Sequence, residues 1–64
     1  MTIQYHAKVS SIQPIKGYSR VDLSVERNNI SAWSTLFVDE QTLKDENIQV
    51  DDKLIINLDK KINY

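Results

Sequence analysis

The chain has 64 residues, no cysteine and a formal net charge of −1 at pH 7. This length accommodates one small domain, residues 1–64, without a linker, and the lack of cysteine excludes disulfides and thiolate metal sites. The slight excess of acidic residues disfavours a protein that binds duplex nucleic acid non-specifically, because such a protein neutralises many phosphates with basic side chains.

The N-terminal segment is predicted to form a first β-strand. From Ile3 to Val9 apolar residues alternate with polar ones, which is the period of a half-buried strand, and we place the end of this strand near Ile12. Residues 13–17 are predicted to form the turn out of it, because they include the chain's one proline and one glycine, both of which favour turns. The segment has no apolar run that would serve as a signal peptide or span a membrane. We therefore expect a cytoplasmic protein without membrane contact.

The next segment, residues 18–39, is predicted to form a long two-stranded hairpin. Asn28 and Asn29 supply its turn, because asparagine tolerates the positive φ angles that a tight connection requires. Apolar residues occupy alternate positions on both sides of this turn, so one face of the hairpin is predicted to point into the core. The residues of that face are Val21, Leu23, Val25, Ile30, Leu36 and Val38.

The opposite face of the hairpin carries three aromatic side chains and an arginine. By the same parity Tyr18, Arg20, Trp33 and Phe37 point away from the core. Such a group of exposed rings is typical of a platform on which the bases of a single nucleic-acid strand stack. The alternative is structural: Trp33 or Phe37 fills a second small core under the helix, or lies in a subunit interface.

Net charge is unevenly distributed along the chain. Residues 1–37 carry four basic side chains against two acidic ones, whereas residues 38–64 carry four against seven. The hairpin half is therefore the more electropositive end, which favours a polyanion there. We predict that Arg20, Lys16 and Lys8 neutralise phosphates beside the aromatic platform.

A short helix and one strong strand are predicted after the hairpin. Asp39 is a suitable N-cap for a helix over residues 40–46, with Leu43 facing inward. Residues 54–58 alternate again, and this pattern predicts the fourth strand. Residues 62–64 add a last short strand or form a frayed tail.

The sequence carries no catalytic or metal-binding pattern. His6 is the one histidine, and a lone histidine on the polar side of a strand is typical of a solvated residue rather than a metal ligand or a general base. The paired acidic residues of segment 39–52 lack the ligand spacing and the central glycine of a calcium loop. We therefore expect a protein that is not an enzyme and that holds no metal and no cofactor.

Residues 7–12, 21–23, 33–38 and 48–54 carry a succession of strand, strand, strand, short helix, strand that resembles the oligonucleotide- and oligosaccharide-binding (OB) fold. The resemblance covers most of the chain. It implies an all-β, five-stranded OB-like barrel with one short helix between strands three and four, closed by residues 62–64 or by a partner chain, and a binding face on strands two and three. The same order looks like the small molybdate-binding domain of the Mop/TOBE type, but Asp39 and Glu40 stand where that family has Thr and Ser, and its closing Lys-Ala-Ser motif is missing.

The sequence thus predicts an OB-like module that binds single-stranded nucleic acid through its aromatic and basic hairpin face. The alternative is a non-enzymatic protein-interaction module, such as an accessory or inhibitory protein of a mobile element, that uses the same aromatic face or the acidic segment 39–52. An exposed strand edge would also favour a homodimer.

Overall fold

The fold is built on one antiparallel sheet. The structure, a computed structural model, describes residues 2–61. In chain order these residues form β1 (Ile3–Ile15), β2 (Tyr18–Arg27), β3 (Ile30–Asp39), α1 (Glu40–Asp45) and β4 (Lys53–Leu58). The strands lie in the order β3-β2-β1-β4. The predicted all-β class with a short helix before β4 is confirmed.

The predicted closed, five-stranded barrel is not confirmed. Within residues 2–61 the sheet has four strands, and β3 and β4 each have a neighbour on one side. The candidate fifth strand, residues 62–64, lies outside the described residues. The described part is therefore an open sheet, with overall extents of 35 × 34 × 17 Å.

The first strand is longer than predicted and runs through Pro14 to Ile15, where it pairs with Tyr18. The turn is reduced to Lys16 and Gly17. Gly17 has a φ of 84°, which glycine adopts at little cost. Pro14 is tolerated because β4 pairs only with the part of β1 from Ile3 to Lys8. The end of β1 is therefore an edge, where a residue without an N–H group breaks no hydrogen bond.

The predicted hairpin is present, and its parity is as predicted. Arg27 pairs with Ile30 around a turn in which Asn28 has a φ of 56°. We call the side of the sheet that carries Val21 and Leu23 the inner face, and the side that carries Trp33 the outer face.

The core occupies only part of the inner face. Ala7, Val9, Val21 and Leu23 are buried there. Leu43 of the helix and Ile48 after it pack against them, together with partly buried residues of the strands. Because α1 has only six residues, it covers the end of the sheet near the start of β2 and leaves the hairpin end open. Ile30 and Leu36, which we expected in the core, point to the inner face but are exposed.

Backbone bonds from Val9 of β1 hold the segment between the helix and β4. The pairing of β1 with β2 shifts between Val9 and Ser11, and Val9 is bonded to the turn before β4: its N–H donates to the Asp52 carbonyl at 2.9 Å, and its carbonyl accepts from the Asp51 N–H at 2.9 Å. Val9 lies opposite Leu23 of β2 at a pair without mutual backbone bonds, so its backbone groups point toward β4. The two bonds therefore extend the β1–β4 pairing one residue beyond Lys8 and Lys53, and they position the acidic turn at the margin of the outer face.

The helix has the predicted cap. The Asp39 carboxylate accepts hydrogen bonds from the Thr42 N–H at 3.0 Å and from the Thr42 hydroxyl at 2.7 Å, which is how an N-cap satisfies the free donors of a first turn. The helix ends at Asp45, and Asn47 follows with a φ of 51°. Within the described residues no helix has the length and apolar character to cross a membrane.

Candidate functional site

The aromatic rings predicted on the outer face are exposed to solvent. Trp33 is 76% exposed, Phe37 65% and Tyr18 41%. The rings of Tyr18 and Phe37 lie edge to face, with centroids 5.8 Å apart and an interplanar angle of 72°. Since no described part of the chain encloses Trp33 or Phe37, neither fills a second core within residues 2–61.

Trp33 begins a row of side chains that crosses the whole sheet on the outer face. Trp33 pairs with Ser24 of β2, Ser24 with Lys8 of β1, and Lys8 with Lys53 of β4. Neighbouring strands lie about 4.8 Å apart, so the row places one exposed indole and two ammonium groups within about 15 Å of one another. Two lysines directly opposite each other repel, and a bound anion would relieve that repulsion.

Two shallow clefts adjoin this row. One, of about 350 Å³, is lined mainly by His6, Lys8, Ser24, Glu26 and Lys53. The other, of about 220 Å³, lies between Lys8, Trp33 and Asp51. Lys8 and Asp51 form an exposed ion pair with an N–O distance of 3.7 Å, and such a pair is weak in water. Lys8 can therefore exchange Asp51 for a phosphate at small cost.

Asp22 lies between Trp33 and Phe37 on the outer face and organises the side chains around it. Its carboxylate accepts hydrogen bonds from the hydroxyls of Ser11 at 2.8 Å and Thr35 at 2.9 Å, and from Nε of Arg20 at 3.1 Å. The bonds from Ser11 and Thr35, and then that from Arg20, lower the pKa of Asp22 below its usual 3.8. Arg20 is thereby held beside Phe37, its cross-strand partner.

The pH dependence of stability should report on this Asp22 network. The pKa of Asp39 is also lowered, chiefly by its bond from the Thr42 hydroxyl. A carboxyl whose folded-state pKa is depressed stabilises the fold fully above its unfolded-state pKa, and that contribution is lost as the pH falls through the folded-state value. We therefore expect the free energy of unfolding, measured with urea, to be level above about pH 5. It should decline as the pH drops below 3.8, the usual pKa of an aspartate. Asp22→Asn should make the decline shallower, and an unchanged slope would contradict the assigned role.

The structure places five of the six predicted site residues on the outer face and the sixth, Lys16, in the β1–β2 turn, and together they form two groups. Trp33 and Lys8 lie in the row that ends at Lys53, whereas the other group lies toward the opposite end of the strands. It comprises Tyr18, Arg20, Phe37 and, in the β1–β2 turn, Lys16. The sequence interpretation missed Lys53, because its position follows from the pairing of β1 with β4, which no local pattern reveals.

The uncovered half of the inner face forms an apolar trough, which was also missed. It has a volume of about 210 Å³ and is lined by Tyr5, Val25, Ala32, Ser34, Ile56 and Leu58. The guanidinium of Arg27 lies 5.8 Å from the centroid of the Tyr5 ring, a distance at which a cation interacts favourably with the π face. The domain thus presents two different surfaces: a polar, aromatic outer face and an apolar inner trough.

Several acidic residues of segment 39–52 have local structural roles. Asp39 caps the helix, Asp45 accepts a hydrogen bond from Gln41 at 2.8 Å, and Asp52 accepts one from the Gln49 N–H at 2.8 Å. Among residues 2–61 no group of three or more histidine or acidic side chains is close enough to hold a metal ion.

Comparisons of the chain with protein-family models, with curated proteins and with solved structures found no match. No relative therefore indicates what the outer face binds.

Proposed function

We propose that this protein is a non-enzymatic, cytoplasmic OB-like module that binds single-stranded nucleic acid on its outer face. The observation that carries the proposal is the row from Trp33 through Ser24 to Lys8 and Lys53, which sets an exposed π surface in line with two cations. Bases and phosphates alternate along a single strand. A surface that sets an exposed ring in line with cations can contact a base and the neighbouring phosphates of such a strand.

Stacking supplies the larger share of the proposed affinity. One base stacks on Trp33 and another on the pair formed by Phe37 and Tyr18. Phe37 is the fourth residue after Trp33 on β3, which places the two stacking positions about 13 Å apart. Each base stacked on an aromatic ring contributes about 1–3 kcal/mol, and this holds for any base sequence because every base has a π face.

Phosphate contacts are few in this proposal. Lys8 and Lys53 neutralise phosphates near Trp33, and Arg20 and Lys16 do so near Phe37. Each neutralised phosphate contributes about −0.7 to the slope of log affinity against log salt for a single strand. Four contacts thus predict a slope no steeper than about −3.

The proposed fold is an OB-like barrel. The order of β1, β2, β3, α1 and β4 corresponds to the first four strands and the helix of an OB barrel, whose binding face lies on strands two and three. The barrel would be closed between β3 and β4 by residues 62–64 or by a strand of a partner chain.

The proposal is tested by titrating the fluorescence of Trp33, the chain's one tryptophan, with mixed-sequence single-stranded DNA and RNA. We expect saturable quenching by single strands, much weaker quenching by duplex DNA of the same sequence, and the shallow salt slope given above. A flat titration at low salt would overturn the proposal, because an indole that is 76% exposed cannot stack on a base without a change in emission.

A protein-interaction module is the second candidate, and the charge pairing on the outer face favours it. Arg20 is paired with Asp22 and Lys8 with Asp51, so two of the cations would have to leave carboxylates to meet phosphates. An accessory or inhibitory protein of a mobile element could dock Trp33 and Phe37 into a groove of its target, or offer the exposed acids of segment 39–52 to a basic surface. Flat titrations with all nucleic acids, together with capture of a defined protein that Trp33→Ala abolishes, would favour this candidate.

A further inference from the structure

The edge of β3 lacks the features by which natural sheets avoid pairing with other chains. Edge strands are usually short, or interrupted by proline or charge. β3 has 10 residues, and from Ile30 to Val38 it contains no charged residue and no proline. The other edge of the described sheet is protected: β4 has six residues, begins at Lys53 and is followed by Asp59, Lys60 and Lys61.

We propose that two copies of this chain form a symmetric dimer in which β3 pairs antiparallel with the partner's β3 about a two-fold axis at Ser34. This pairing occupies the edge of β3, so it takes the place of closure at that edge by residues 62–64 of the same chain. A second copy of the chain fits this edge, because the apolar residues of β3 lie opposite one another when two copies of the strand pair antiparallel. The pairing does not depend on the proposed function, whereas its consequence for the outer face does.

The hairpin geometry fixes which backbone groups face the free edge. In a two-residue hairpin the closing pair, here Arg27 and Ile30, exchanges both backbone hydrogen bonds, and hydrogen-bonded pairs then alternate along the ladder. The backbone groups of the residues between these pairs therefore point away from β2. These residues are Ser31, Trp33, Thr35 and Phe37. They can bond only to the same set in the partner, so the outer faces of both copies lie on the same side.

Several antiparallel registers satisfy this backbone requirement. The register centred on Ser34 pairs all of the uncharged residues 30–38 with the same residues of the partner. On the inner face Ser34 lies opposite the partner's Ser34, Ala32 opposite the partner's Leu36, and Ile30 opposite the partner's Val38. A register centred on Thr35 would place Ser31 opposite the partner's Asp39, and one centred on Trp33 would place Val38 opposite the partner's Asn28 in the hairpin turn. Apolar pairs opposite each other stabilise a sheet, so the register at Ser34 is favoured.

The antiparallel arrangement also brings the covered part of one inner face beside the uncovered part of the other. Helix α1 follows directly after β3, so the helix-bearing end of each copy lies beside the open hairpin end of the other. The exposed Ile30 and the apolar trough beside Ala32 and Ser34 are at that open end. Dimerisation would therefore extend apolar cover over the part of the inner face that the short helix leaves bare.

On the outer face the two platforms would become continuous. Trp33 would lie opposite the partner's Thr35, which makes the two indoles diagonal neighbours about 7–8 Å apart. Together with the proposed function, this arrangement predicts one nucleic-acid path across both copies rather than two separate sites.

The test uses the absence of cysteine from the chain. Ser34→Cys would place two thiols opposite each other at a pair without mutual backbone bonds, with Cα atoms about 4.5 Å apart, within the range that a disulfide spans. The matched control is Ala32→Cys on the same face, whose two copies would be displaced by four residues, or about 13 Å. We expect rapid oxidation of Ser34→Cys to a covalent dimer with native circular dichroism, at least tenfold slower cross-linking of Ala32→Cys, and a concentration-dependent dimer of the unaltered chain in sedimentation.

Equal cross-linking of the two variants, or an unaltered chain that sediments as a monomer up to millimolar concentration, would overturn the pairing. Ser34→Lys separates this outcome from a failure of the proposed function. It sets two like charges opposite each other and should give a monomer whose Trp33 remains accessible. A Ser34→Lys monomer whose fluorescence is still quenched by single strands, combined with failed cross-linking, would refute the dimer and leave nucleic-acid binding intact.

Discussion

Trp33→Ala is expected to weaken binding of a single-stranded oligonucleotide by about 5- to 150-fold, because one stacked base contributes about 1–3 kcal/mol and 1.4 kcal/mol is a factor of ten. The indole is the most exposed of the large apolar side chains in the described part of the chain, and removing it should cost little stability. Because the variant has no tryptophan, affinity is measured by the fluorescence anisotropy of a labelled oligonucleotide.

Two further variants distinguish stacking from simple apolar contact. Trp33→Phe keeps a π face and should retain most of the affinity. Ile55→Ala removes an apolar side chain that is 60% exposed on the same outer face of β4, and it should change the affinity less than about twofold because an aliphatic chain offers no stacking surface. If Ile55→Ala weakened binding as much as Trp33→Ala, the outer face would bind through general hydrophobic contact, as a protein partner would.

The hairpin could be predicted from the sequence because its determinants are local. Alternation of Val21, Leu23 and Val25 specifies which side faces the core, and two asparagines specify the turn. Once the two strands pair, the parity of the first strand fixes that of the second. The outward direction of Trp33 and Phe37 followed from the same rule, and the helix cap at Asp39 is likewise contained within a few residues.

The rest of the site depends on contacts between distant parts of the chain. Lys53 joins the row of Trp33 and Lys8 only because β4 returns to pair with β1, and no periodicity in residues 53–58 indicates that neighbour. The exposure of Ile30 and Leu36 has a similar origin. Alternation reports which face a residue points to, whereas the area that a six-residue helix covers is a property of the assembled fold.

Proline misled the prediction of the first turn for a related reason. Pro14 was assigned to a turn because it lacks an N–H donor, and this is sound for a central strand. In the fold, β4 ends before it reaches that part of β1, so the missing donor breaks no hydrogen bond. The strand order of the sheet, which the local sequence does not encode, decides whether proline ends a strand here.

Leu23→Ala is expected to be the most destabilising single truncation on the inner face. Leu23 is fully buried among Ala7, Val9 and Val21, and a truncation of a buried leucine to alanine costs about 2–5 kcal/mol. A chain this short buries a modest core and has little stability in reserve. The variant should therefore be largely unfolded at room temperature, as judged by the loss of the far-ultraviolet circular dichroism of the sheet and of a cooperative urea transition.

Leu36→Ala is the matched control, because it makes the same truncation on the same face. Leu36 is 45% exposed and lies opposite Val21 on the edge strand, so its removal should lower the free energy of unfolding by about 1 kcal/mol or less in dilute solution. At high protein concentration the cost should rise, because the proposed dimer places Leu36 opposite the partner's Ala32 and binding to the folded state alone adds stability. A Leu36→Ala cost that equals that of Leu23→Ala at every concentration would mean that Leu36 belongs to the buried core of the single chain, which would contradict its exposed position on the edge strand.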